Sequence, residues 1–277
     1  MPSFFFCSTS SLSDPADCGH AGMRFASLGS GSRGNAMVVE AGASRVLVDC
    51  GFGPRNLTKR LARLGLAPGD LDAILVTHEH SDHVVGIGRC AAACGREVFM
   101  THGTFVAAGR AATAGIRVAL IDSHTAFAVG DLEIQPFPVP HDAREPVQFV
   151  FSDGNRRLGL LTDTGHVTPH VVETFAASDA IVIECNHDAD MLARGNYPRS
   201  LKHRIAGRFG HLDNLAAAGL LAALDCSRLQ HVVAAHLSEH NNTPQLACTA
   251  LAAVLGCAPE WVGAASQEEG FGWRDLK

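Results

Sequence analysis

Beyond residue 22 the chain alternates short apolar runs with segments of helical period, punctuated by glycine, proline and asparagine turns. Residues 23–28 and 36–40 read as strands flanking a glycine-rich loop, Gly29-Ser-Gly-Ser-Arg-Gly-Asn35. Residues 45–49 read as a buried strand that ends in Asp49-Cys-Gly, and 54–64 as a helix. The apolar strand 73–77 runs directly into His78; a helix is then expected from Asp82 or His83 to Cys94, and a strand over 97–101.

Residues 116–139 read as strands broken by a Val129-Gly-Asp-Leu turn, and 148–152 with 157–162 as a hairpin across Asp153-Gly-Asn. Further apolar strands are expected at 180–184 and 231–235, and a helix over 215–224. The last clear helix opens at Thr243-Pro244, a capping residue before a proline at the first helical position, and stops at Gly256. Hairpins mixed with helical crossovers, and more strands than one doubly wound sheet needs, predict an α/β fold of two packed sheets with helices outside. Residues 1–22, rich in Ser, Asp, Pro and Gly and without periodicity, are expected to form a disordered tail before a single domain over 23–277.

Composition narrows the class. With 277 residues, 47% hydrophobic and 18% charged, the chain is long enough for a substantial core. No apolar run approaches the roughly 20 residues of a membrane span, and the first residues lack the pattern of a secretory signal, so a cytoplasmic protein without membrane contact is expected. Nine scattered cysteines with no CxxC pair suggest free thiols in a reducing compartment. Cys90 and Cys94 share a helix but lack further ligands nearby for a zinc clip. A formal charge of −6 argues against a broad basic face wrapping nucleic acid. It leaves room for a phosphate gripped locally, where metal ions supply the positive charge.

The 15 histidines matter through their clustering. In Thr77-His-Glu-His-Ser-Asp-His83, side chains two apart on an extended segment project to one side, so His78 and His80 can chelate one ion. A turn at Ser81 then aims Asp82 and His83 at a neighbouring point. Imidazoles with a carboxylate suit zinc, manganese or iron. A polar loop with clustered histidines is the plain alternative; three histidines and an aspartate within six residues at a strand end weigh against it.

This segment resembles the HxHxDH motif of the metallo-β-lactamase superfamily, and the rest of 23–277 resembles that family in order. The resemblance implies a four-layer αββα sandwich. It also implies that Asp49 buttresses the metal loop, that His141 in Val-Pro-His-Asp-Ala and His236 in Ala-His-Leu-Ser-Glu-His are metal ligands, and that Asp163 in Thr-Asp-Thr-Gly is a bridging one. One ion would then sit among His78, His80, His141 and Asp163, and a second among Asp82, His83, Asp163 and His236, with an activated water between them and Asp82 in a catalytic role.

Several features resemble the nuclease branch of that fold. Gly210-His-Leu-Asp-Asn214 is similar to its extra histidine motif, which makes His211 a candidate general acid, although a histidine near a helix start is common without any such role. Arg194, Arg199, Lys202, Arg204 and Arg208 form a basic stretch that reads either as a solvated face or as a track for a nucleic-acid backbone. Ser32, Arg33, Asn35, Arg199, Lys202 and His240 are candidate substrate contacts. Together with Glu184-Cys-Asn-His-Asp188 and Tyr197-Pro, these motifs resemble the YycJ/WalJ-like family, which implies a cytoplasmic 5′-to-3′ exonuclease on DNA. Asp213 and Cys185 stand where that pattern has serine. A thioester or lactone hydrolase of the glyoxalase II type, and a metal-binding scaffold without catalysis, are the alternatives, because the fold alone does not choose a substrate.

Overall fold

The computed structural model describes residues 22–277; the expected disordered tail lies outside the described residues apart from Gly22. The first half runs β1 (Met23–Gly29), β2 (Ala36–Ala41), β3 (Ser44–Val48), α1 (Pro54–Ala62), β4 (Ala73–Leu75), α2 (Ser81–Val84), α3 (Ile87–Cys94), β5 (Glu97–Thr101), α4 (His102–Thr113) and β6 (Arg117–Ile121). The second continues with β7 (Phe127–Val129), β8 (Leu132–Pro138), β9 (Val147–Ser152), β10 (Arg157–Leu161), α5 (Pro169–Thr174), β11 (Ala180–Glu184), α6 (Ala189–Arg194), α7 (Arg199–Ile205), α8 (Asn214–Ala222), β12 (His231–Ala235), α9 (Pro244–Leu255), β13 (Gly263–Ala264) and β14 (Phe271–Asp275).

The strands form two seven-stranded sheets, β14-β1-β2-β3-β4-β5-β6 and β13-β12-β11-β10-β9-β8-β7. Each has an antiparallel part, built from hairpins except where β14 joins β1, and a parallel part, β3 to β6 in one and β10 to β13 in the other. Strand periodicity sorts the side chains into layers. Val46 and Val48 join the core between the sheets, whereas Leu47 joins Leu57, Leu61 and Ile87 under the helices. In the other sheet Ala180 and Val182 face the inter-sheet core, and Ile181 and Ile183 pack with Leu220, Leu221 and Leu251 of α8 and α9. The order is therefore helices, sheet, sheet, helices: the α/β four-layer sandwich that the sequence led us to expect.

Two expectations change in detail. The helix anticipated from residue 82 to Cys94 is two helices, α2 and α3, interrupted at Val85–Gly86, because the Gly86 N–H bonds the Cys50 carbonyl at 2.9 Å instead of continuing the first helix. The chain also adds two strands not anticipated from its pattern: β14, which closes the first sheet against β1, and the short β13, which closes the second against β12. The seven described cysteines are free thiols, and none belongs to a group of side chains placed to share a metal ion. Among the described residues no helix is long and apolar enough to cross a membrane.

The parallel halves set the position of the site. The ends of β3, β4, β10, β11 and β12 lie at one rim, and polar residues leave them there, as open α/β sheets do at the carboxyl ends of their strands. Two glycines allow the rim loops to nest. A Cβ on Gly51 would stand 1.8 Å from the Asp82 carbonyl, and one on Gly86 would stand 1.9 Å from the Phe52 carbonyl. Gly51→Ala and Gly86→Ala are each expected to destabilise the protein by about 1–3 kcal/mol or more, through forced separation of the loops. Chemical denaturation checks this; an unchanged midpoint for either variant would show that the loops are not closely interlocked.

Candidate active site

The segment after β4 carries Thr77 and His78, and His80 is the residue before the first turn of α2. Its position is set by Asp49, which follows β3 and is buried. One Asp49 oxygen accepts the Thr77 backbone N–H at 2.9 Å; the other lies 2.9 Å from the Thr77 hydroxyl and 2.8 Å from His83 Nδ1. Asn35 closes the loop from the opposite side. Its backbone N–H bonds the Asp82 carbonyl at 2.8 Å, and its amide nitrogen lies 3.1 Å from Asp82 Oδ2. The glycine-loop asparagine, expected among the substrate contacts, is thus buried and engaged with the metal loop and with Gly31.

Each imidazole of the cluster uses one nitrogen outward and leaves the other toward the centre. His83 Nδ1 donates to Asp49, His141 Nδ1 to the Gly210 carbonyl at 3.1 Å, His236 Nδ1 to Glu184 at 3.2 Å, and His80 Nε2 to the Asp142 carbonyl at 3.2 Å. His78 Nδ1 lies 3.0 Å from the Thr77 hydroxyl, which itself donates to Asp49. Outer partners of this kind fix the tautomer and ring direction of a metal-binding histidine. The inward atoms His78 Nε2, His236 Nε2 and Asp163 Oδ2 are buried without a hydrogen-bond partner. His80 Nδ1 and His141 Nε2 face one another at 3.2 Å, although both are acceptors once their other nitrogens donate.

The inward atoms fall into overlapping groups: His78 with His80 and His141, Asp82 with His83 and His236, and His78 with His83 and Asp163. Asp163 lies between them, with one oxygen 3.3 Å from His83 Nε2 and the other 3.5 Å from His236 Nε2. Buried acceptors left unpaired are costly in free energy, and a divalent cation satisfies several at once. The donor set, imidazole nitrogen plus carboxylate oxygen, therefore fits metal ions. Electrostatics holds the carboxylates as anions. Burial favours the neutral acid at Asp163 and Asp82, but protonated His236 and His83 outweigh it and hold both carboxyls well below the usual range, so protons on these two rings and metal ions compete for the same inward nitrogens.

Glu184 also belongs to the cluster, although no role attaches to it from sequence alone. It ends β11 fully buried; one oxygen accepts from His211 Nδ1 at 2.8 Å and from His236 Nδ1, the other from the backbone N–H groups of Thr164 and Leu212. Against the effect of burial, His211 and these donors hold its carboxyl down at about 2. His211 stands 3.5 Å from Asp163; although burial opposes its charge, Glu184 and Asp163 raise its pKa. Asp142 was likewise unassigned. Its carboxylate lies 3.4 Å from His141 Nε2 and pairs with Arg204 at 2.6 Å.

A cleft of about 280 Å³ opens onto this cluster, lined by Ser32, Asp82, Asp163, Tyr197, Arg204 and His211 among others. The remaining anticipated substrate contacts stand away from its walls. Arg33 is exposed and paired with Glu239 and Glu268. Lys202 donates to the Ala193 carbonyl at 2.6 Å, Arg199 is exposed on α7, and His240 sits across Tyr197 beside an adjoining cavity.

Comparison with known proteins agrees with this architecture. The family described as "Beta-lactamase superfamily domain" matches residues 44–237. The chain is 35% identical over 257 residues to the exodeoxyribonuclease YycJ of Bacillus anthracis, covering 91% of this chain and 92% of that protein. It is 34% identical over 246 residues to the exodeoxyribonuclease WalJ of Streptococcus pneumoniae, covering 87% and 91%. Among solved structures, the metallo-β-lactamase fold protein YhfI from Bacillus subtilis superposes with a TM-score of 0.71 at 18% identity, over 92% of this chain and 99% of that one. The chain belongs to the β-lactamase superfamily and, within it, to the family of the exodeoxyribonucleases YycJ and WalJ.

Proposed function

We propose that the protein is a two-metal phosphodiesterase that hydrolyses DNA from its ends. The observation that carries this reading is the set of buried, partnerless inward atoms on His78, His236 and Asp163, with the other nitrogen of each histidine already committed to the protein. His78, His80, His141 and Asp163 would hold one ion, and Asp82, His83, His236 and Asp163 the other. With imidazoles neutral, as metal ligands must be, the four carboxylates of Asp49, Asp82, Asp163 and Glu184 carry a charge that two divalent ions balance. The nitrogen-and-oxygen donor set, without thiolate, suits zinc, manganese or iron.

When bound, such a pair of ions acidifies a water and draws negative charge from the phosphoryl oxygens. The chain's own residues do the rest. Asp49 and Glu184 keep the imidazoles in the tautomer that leaves the inward nitrogen bare. Glu184, held as an anion, accepts the His211 Nδ1–H and favours the imidazolium, whose Nε2 proton can pass to the leaving oxygen of a phosphodiester. An alkoxide leaves poorly without a proton, whereas a thiolate does not need one, so a held histidine at this position favours the phosphodiester over the thioester. The relatives named exodeoxyribonucleases support DNA as the substrate.

Elemental analysis of the purified protein is expected to give about two ions per chain; chelation should abolish cleavage of end-labelled DNA, and manganese or zinc should restore it. Asp163→Ala is expected to lose both metal and activity. His211→Ala should bind metal normally yet lose about 10²–10⁴-fold in turnover. Glu184→Gln should lower metal affinity or activity by about 10–100-fold. Full nuclease activity in Asp163→Ala would sink the mechanism. Turnover of a thioester or lactone, with no cleavage of DNA under any of these metals, would replace the substrate assignment, and two bound ions with no hydrolysis at all would make the protein a scaffold.

A further inference from the structure

Next to the metal-facing cleft lies a larger cavity of about 820 Å³, within the size range of ligand sites. Its walls come from α6, the Gly195–Tyr197 turn and the loop after β12. Tyr197 lines both spaces and therefore forms the partition between them. Its ring meets the exposed His240 ring edge-on, with centroids 6.0 Å apart.

The chemistry changes across this partition. On the metal side Arg204 is paired with Asp142, and the ligand cluster, with the ions it would hold, together with His211 suits a phosphate. On the far side Asp188 and Asp190 belong to the wall, and Arg194 is already paired with Asp190 at 3.2 Å. Asp188 Oδ1 caps α6 by accepting the Met191 N–H and Asp190 Oδ2 pairs with Arg194, which leaves each carboxylate one oxygen to accept from the N–H groups of a base. With an aromatic pair, Met191 and the polar Asn196, the far cavity suits a neutral planar base.

We propose that Tyr197 is a nucleobase-stacking residue, and that the cavity it shares with His240 receives the base of the nucleotide beside the scissile phosphate. This rests on the phosphodiesterase reading and adds to it a subsite on one side of the reacting bond. Stacking on an aromatic face tolerates every base.

Tyr197 is the single tyrosine of the chain, so 3-fluorotyrosine places one fluorine probe at this position. Its resonance is expected to move when deoxyadenosine monophosphate is added and to stay in place with deoxyribose 5-phosphate, which has the same phosphate and sugar but no ring. In cleavage of single-stranded DNA by the full chain, Tyr197→Ala should raise KM by about 5–150-fold, the loss expected for one base–aromatic stack. Tyr197→Phe should stay close to wild type. The gap between wild type and Tyr197→Ala should vanish on an oligonucleotide whose terminal nucleotide is abasic. Equal KM values for wild type and Tyr197→Ala on normal DNA, or a resonance that responds alike to both small ligands, would overturn the assignment. Absence of DNA cleavage by wild type would overturn the proposed function instead, and the fluorine resonance would still decide whether Tyr197 contacts a base.

Discussion

A single buried carboxylate organises one side of the site. Asp49 accepts the backbone and hydroxyl of Thr77 and the Nδ1 proton of His83, and through the Thr77 hydroxyl it also fixes His78. Two imidazoles and the start of the metal loop thus share one anchor. Replacing that acceptor would leave several buried donors unpaired together and free both rings to turn. Glu184 does the same work from the other sheet, where it ties His236 and His211 to the backbone on either side. Each sheet therefore contributes one acid at a strand end, and the functional imidazoles hang between them.

This arrangement demands unusual backbone. Asp49, Asp163 and His236 all adopt left-handed conformations, with φ of 59°, 53° and 55°. Each comes within two residues of a strand end, at β3, β10 and β12. The turn lets the chain reverse while its side chain stays buried at the rim. Non-glycine residues hold such angles at a cost of about 1–3 kcal/mol each, and only when the surroundings over-determine them. Here the packed strands on either side do so: Val48, Leu161 and Ala235, which precede these turns, are core residues.

The parts legible in the sequence were those with local signals. The density of His78, His80, Asp82 and His83 needs no partner to be noticed, and the Thr243-Pro244 and Gly256 signals bound α9 as observed. Glu184 stayed without a role because one acid at a strand end is common, and its partners are 27 and 52 positions away. β14 carries Arg274 and Gly272 and pairs with β1 from the far end of the chain, so neither propensity nor a hairpin turn announces it. The helix expected from residue 82 broke at Gly86 for a tertiary reason, the carbonyl of Cys50. Charges mislead in the same way. The basic stretch reads as five free cations in sequence, yet Arg194 pairs with Asp190 and Arg204 with Asp142.

Those pairings bear on how an acidic protein can approach a polyanion. With a formal charge of −6 and several of its site-side cations already neutralised, the chain has little long-range field to draw DNA in. Attraction must then be short-ranged, supplied by the cations that the ligand cluster is built to hold and felt only once a phosphate enters the cleft. A site of that kind would suit the end-directed cleavage proposed above, since an end can enter the cleft without the rest of the backbone passing its acidic wall. The proposed pairing of a phosphate-binding centre with an aromatic, acid-lined cavity beside it meets the same constraint, because stacking adds attraction where a long-range field is lacking.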